Sequence, residues 1–182
     1  MDIQILEQRR EMGLPDRFEP VQVIHNESSG ITILELKLPF DNLGIRHRLY
    51  WRRYGTTVYG VLGALPNEYS YEHAVTCALP IAFFCAVEWR PFGDTVGGRP
   101  QGLLCARLGE APEVSAVDLG SILGPKPPKA FIRRLVRASD SGERLDAIVG
   151  FNEEGPVNYH LCRIDLLTLS LTRLDALPGV WY

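Results

Sequence analysis

Arg46, Arg48, Tyr50, Arg52 and Tyr54 recur at every second position, so an extended chain would put all five on one face and His47, Leu49, Trp51 and Arg53 on the other. A planar guanidinium beside an aromatic ring suits three chemistries: a fork for phosphate, a stacking platform for a base, or a dock for an acidic protein patch. The plainer account is a solvent-facing strand whose tyrosines fill cross-strand space and whose arginines keep the surface soluble. A second group, Tyr69, Tyr71, His73 and Trp89, has the residue types of a small pocket.

Other chemistry lacks its signature. The four histidines are scattered, and Cys77, Cys85, Cys105 and Cys162 contain no C-x-x-C pair. There is no H-E-x-x-H and no acidic calcium loop, so no metal ligands are assigned. His160 and Cys162 are two apart and would share a strand face, but two ligands do not make a structural zinc site. No G-x-S-x-G elbow is present, since the serine of "GSILG" is misplaced. The paired Glu153 and Glu154 fall in a turn, where solvated acids are usual. The glycine-rich "DTVGGRPQG" is read as a connection rather than a phosphate loop, because a strand follows it. No catalytic residue and no cofactor are assigned.

Charge is unevenly distributed. Residues 42–67 and 119–139 contain no Asp or Glu but nine of the 19 Lys and Arg residues, which leaves ten basic against 22 acidic residues elsewhere. The chain is bipolar, and the second window (Lys126, Lys129, Arg133, Arg134, Arg137) would extend the first if the two were neighbours.

The elements that must position these residues are mostly strands. At 182 residues a single domain over 1–182 is expected, large enough to bury a core without metal or disulfide staples. Residues 1–17 are read as an N-terminal helical arm and 124–128, "GPKPP", as an internal proline-rich linker. "PVQVIHNESSGITILELKLP" is a hairpin around an Asn-Glu-Ser-Ser-Gly turn. "PFDNLG" is read as a loop, "RHRLYWRRYGTTVYGVLG" as one bent strand or two broken at Gly55, and "PNEYSYEH" as a loop or helical turn. "IAFFCAVEWR" is a core strand, and "PFGDTVGGRPQG" a long connection. "LLCARL" and "EVSAVDL" form a strand pair. "KAFIRRLVRAS" sorts better as a helix, with Phe131, Ile132, Leu135 and Val136 on one side. Three turn-linked strands follow, with Ser139 to Gly142 a turn. The result is a mainly β or α+β fold, with antiparallel sheets of about nine or ten short strands and two or three short helices.

Within Arg137 to Leu174, Ser139, Asp140, Gly142, Leu145, Asp165, Arg173 and Leu174 follow a serine-aspartate-glycine turn, a strand ending in aspartate and a closing arginine-leucine pair. This segment resembles one blade of a TolB-like or WD40-like β-propeller; no family is matched along the whole chain. Looser copies run over Ile81–Leu119 and Val21–Leu38. The resemblance implies four-stranded blades, about three of them, where a closed propeller needs at least four. A half-propeller completed by dimerisation is one consequence, and simple meander grammar is the alternative. The echo of "LLCARL" in "HLCRID" argues for the meander, because the two cysteines sit in different face company.

The function expected is a non-enzymatic binding module that engages a macromolecular partner, in the first instance a protein, in a regulatory or toxin-neutralising role. One alternative is nucleic-acid or nucleotide-phosphate binding through Arg46 to Tyr54; another is a small enzyme with its pocket near Tyr69, His73 and Trp89. A homodimer is compatible with all three. No apolar run approaches the roughly 20 residues of a membrane helix and no leader pattern opens the chain, so no membrane is expected and the expected location is the cytoplasm.

Overall fold

The computed structural model describes residues 7, 9–14, 19–41, 44–56, 59–63, 69–92, 95–124, 130–152 and 156–178, without the side chains of 38–41, 44–46, 69, 89–92 and 95–97. The described chain is mainly β, with twelve strands rather than nine or ten. They are β1 (Glu19–Asn26), β2 (Ile31–Asp41), β3 (Gly44–Arg53), β4 (Tyr59–Leu62), β5 (Tyr69–Thr76), β6 (Ile81–Phe92), β7 (Thr95–Arg107), β8 (Glu113–Val117), β9 (Ala130–Ala138), β10 (Arg144–Phe151), β11 (Asn158–Asp165) and β12 (Ser170–Leu177). Among the described residues helix is confined to 7 and 9–11 and to one turn, α1 (Gly120–Leu123). No described helix is long and apolar enough to cross a membrane.

The strands form three antiparallel four-stranded sheets, each a simple meander: β1-β2-β3-β4, then β5-β6-β7-β8, then β9-β10-β11-β12. They stack in chain order. Ile31, Ile33, Leu49 and Leu62 of the first sheet pack on Tyr71, Ala82, Phe84 and Ala106 of the second. The second sheet's other face (Phe83, Cys85, Leu103) packs on Ile132, Leu145, Val149 and Ile164 of the third. β5 lies at the junction, touching β3 and, less extensively, β1 on one side and β9 on the other.

Four expectations need correcting. Residues 130–138 are a strand, not a helix. Bulges leave Arg133 and Val136 unpaired against β10, so Ile132 and Leu135 both face the core three positions apart and imitate helical spacing. "PFDNLG" is not all loop: β2 continues to Asp41 and β3 begins at Gly44. "PNEYSYEH" ends in β5, whose residues from Tyr69 pair with β6. "PFGDTVGGRPQG" is mostly ladder, since Phe92 pairs with Thr95 and Gly98 with Trp89; the prolines and glycines at 91–102 weaken strand propensity without preventing pairing. Residues 125–129, most of the proposed linker, lie outside the described residues.

The hairpin turn after β1 also joins two sheets. Asn26 Nδ2 donates to Thr76 Oγ1 (2.6 Å), Leu79 O (2.8 Å) and Cys77 O (3.0 Å), while its Oδ1 accepts from the Ser29 amide at 2.9 Å. Every polar atom of this buried side chain is satisfied, as burial demands.

Candidate functional site

Stacking three sheets leaves two outer faces, one on the first sheet and one on the third. Alternation in β3 is as the sequence suggests: Leu49 and Trp51 point into the layer between the first two sheets, and Tyr50 points outward. The middle of that outward face is covered, while Tyr59 and Val61 of β4 stay exposed beside it. Met12 and Leu14 cross it and bury Leu34 and Leu36, with Val23 and Tyr50 packed alongside. Arg52, its side chain 12% exposed, pairs with Glu11. Arg48 is half-buried, and Tyr50 also meets the Tyr59 ring edge-on at 5.8 Å. Tyr54 follows the end of β3, half-exposed and 6.0 Å from the His25 ring. The Arg46 side chain lies outside the described residues.

The outer face of the third sheet differs. Cross-strand register places three rows on it: Arg137, Asp146, Arg163 and Thr172; then Arg134, Ile148, Leu161 and Asp175; then Phe131, Gly150, Tyr159 and Leu177. Phe131, Tyr159 and Leu161 are half-exposed and, with Ile148 at 8% exposure, belong to none of the three core clusters found among the described residues. In the third row the Phe131 ring lies over Gly150, where an added Cβ would come within 2.6 Å of it. The same ring meets Tyr159 edge-on at 6.3 Å.

The first row is a charge triad. Asp146 is 6% exposed; it accepts from Arg137 Nε at 2.6 Å, from Arg163 Nε at 2.8 Å and from Arg163 Nη2 at 3.2 Å. The hydrogen bonds from Arg163, joined by those from Arg137, hold its carboxyl below the ordinary carboxylate range against the effect of burial. Both guanidinium groups are thereby fixed in place. They border a shallow depression of about 670 Å³ that Arg144, Ser139 and Ser141 also line.

Of the proposed pocket residues, Tyr71 and His73 have described side chains, and these lie in different surroundings. Tyr71 is fully buried in the first interlayer, edge-on to Phe84 at 5.7 Å. His73 sits at φ +60 in a bulge of β5. Tyr69 and Trp89 have side chains outside the described residues. His73 belongs instead to a polar junction that sequence reasoning missed. The fully buried Glu35 accepts from Gln22 Nε2 (2.6 Å) and the His73 amide (3.0 Å), and its Oε1 lies 2.7 Å from His47 Nδ1. His73 Nε2 lies 3.2 Å from Glu72 Oε2. Burial opposes the charged form of Glu72, but the His73 hydrogen bond and the charges of His47, His73 and Arg133 keep its carboxyl below the ordinary range. The signal was available: Glu35 falls in phase with the inward Ile31 and Ile33, where an acid must find partners.

Cys105 and Cys162, the echoed pair, both point into the layer between the second and third sheets, from opposite sides. Burial raises the Cys105 thiol and pushes the Cys162 thiol up to about 11, away from nucleophilic character. No described group of three His, Cys, Asp or Glu is arranged to hold a metal ion. A second cleft, about 660 Å³, opens between these sheets beside α1, lined in part by Glu88, Arg99, Gln101 and Asp118. Gln101 Nε2 donates to Glu88 at 2.6 Å there.

No protein-family model matches the chain, and no curated protein matches it. Among solved structures it is similar to prolyl oligopeptidase B from Galerina marginata, at 11% identity and a TM-score of 0.28, over 90% of this chain and 28% of that one. The chain thus spans little more than a quarter of that protein's length, and a superposition at this level leaves function to be argued from the chain itself.

Proposed function

We propose that this chain is a non-enzymatic binding module, a run of propeller-type blades, that engages a protein partner on the outer face of the third sheet. One observation carries the reading: Met12 and Leu14 cross the middle of the first sheet's outer face and complete a core cluster there, while Phe131, Tyr159 and Leu161 on the third sheet's outer face join no core cluster of the described residues and stay half-exposed. β10 supports it. Both of its phases are apolar beyond Asp146, with Leu145, Ala147 and Val149 on the inner side and Ile148 and Gly150 on the outer, the pattern of a strand lying between two layers. The stack also sets a precedent, since the second and third sheets each meet a neighbour face to face. An apolar center with arginine and tyrosine around it has the composition of a protein-binding patch.

The test is a partner recovered with this chain, remade in pure form and titrated. Binding should change little between about 50 and 200 mM salt, weaken about tenfold or more in Leu161→Asp, and stay unchanged in Arg48→Ala. Binding that collapses over that salt range and is lost in an Arg48→Ala, Arg52→Ala double variant would replace this reading with nucleic-acid binding through β3.

A further inference from the structure

We infer that the partner on this face is a second copy of the same chain, packed sheet on sheet about a two-fold axis that runs parallel to the strands. The inference rests on the reading of the face as an interface and adds who occupies it. Rotation about such an axis keeps every row at its own level and reverses the strand order, so that β9 lies over β12 of the second copy and β10 over its β11.

The three rows match themselves under that operation. In the middle row Arg134 meets Asp175 of the second copy, and Ile148 meets its Leu161. In the charged row Asp146 meets Arg163 of the second copy, and Arg137 its Thr172. In the third row the Phe131 ring of one copy, which lies over its own Gly150, meets Tyr159 and Leu177 of the other. Arg134 and Asp175 are exposed and form no ion pair within the chain among the described residues. They stand at opposite edges of one row, and the rotation brings them together twice, once at each edge. Aligned sheets cross at about 30°, which displaces the edge strands by about 4 Å, within the reach of an arginine.

The other arrangements fit worse. A two-fold axis perpendicular to the strands lays each strand on its own copy, which sets Arg134 against Arg134 and Asp175 against Asp175. Packing the third sheet of one copy on the first sheet of the next, the closure a six-bladed ring would use, requires Met12 and Leu14 to leave their places. The strand-parallel axis disturbs neither and closes at two copies. The face measures about 20 Å by about 20 Å, or about 800 Å² over both copies, the size of a weak, transient interface, so the dimer is expected to dissociate in the micromolar range.

Sedimentation equilibrium of the whole chain from about 1 to about 100 μM tests this. Monomer and dimer should interconvert over that range. Arg134→Asp and Asp175→Arg should each weaken the dimer about tenfold or more by setting like charges together, and the two combined should restore it. Both positions are exposed, so the variants should keep the wild-type melting temperature. A dimer weakened by each single change but not recovered by the pair overturns the strand-parallel axis. A wild-type chain that stays monomeric at about 100 μM overturns self-association; if Leu161→Asp still abolishes binding of a different protein, the interface reading survives. A dimer indifferent to Arg134→Asp, Asp175→Arg and Leu161→Asp overturns both.

Discussion

The two outer faces are built by the same means and finished differently. Each is one side of a four-stranded meander whose opposite side packs on the central sheet. On the first sheet, Leu34 and Leu36 are fully buried because Met12 and Leu14 lie across them. On the third, Ile148 and Leu161 occupy the center of the face, with Asp146 anchoring two arginines at one end. A covered face contributes to stability through burial. A half-exposed face that combines apolar side chains with paired charge contributes less through burial, and it is the face on which the partner is proposed to dock.

The largest effect should come from the covered face. Leu34→Ala removes a fully buried side chain and should lower unfolding free energy by about 2–5 kcal/mol in urea titration. Leu161→Ala, on the half-buried face, should cost about 1 kcal/mol or less and act on association instead. Equal losses would erase the distinction between the faces.

Asp146→Asn sharpens the comparison next. It removes the charge that fixes Arg137 and Arg163, and because both arginines are substantially exposed the loss should be about 1–2 kcal/mol by chemical denaturation. Gly150→Ala forces the Phe131 ring to shift; the half-exposed ring has room, so about 1 kcal/mol of stability is expected, with a larger effect on dimer affinity. An unchanged dimer would show that the third row makes no contact.

The pH dependence should be smallest. The Asp146 carboxyl is held below its ordinary value of 3.8, so its contribution is complete above that value and is lost as pH falls through the lower folded value. Thermal melting between about pH 5 and pH 2 should therefore steepen in the wild type relative to Asp146→Asn. Glu72, shifted the same way, adds to the slope in both proteins and leaves the difference to Asp146.

Much of the fold was legible. The Asn26 to Gly30 turn, the break near Gly55 and the Ser139 to Gly142 turn all lie where turn chemistry puts them, because these signals are local. Bulges hid the rest. In β9, two extra residues turned a strand's alternation into helical spacing. In β6 and β7, proline and glycine concealed a ladder that the partner strand completes. The basic-aromatic face of β3 could be read residue by residue, but not its cover, since Met12 and Tyr50 are 38 positions apart in sequence.

By itself the sequence determined a β-rich chain, its principal turns, the division of β3 into two faces and the bipolar charge, because each depends on near neighbours and on the two-residue period of a strand. Only the tertiary structure decided which faces meet. It placed β3 and β9, described parts of the two basic windows, on sheets separated by a third. It drew Glu35, His47, Glu72 and His73 into one buried junction, and it left Arg134 and Asp175 at opposite edges of a single open row. Those outcomes depend on long-range register, which is set by packing between sheets rather than by any short stretch of chain.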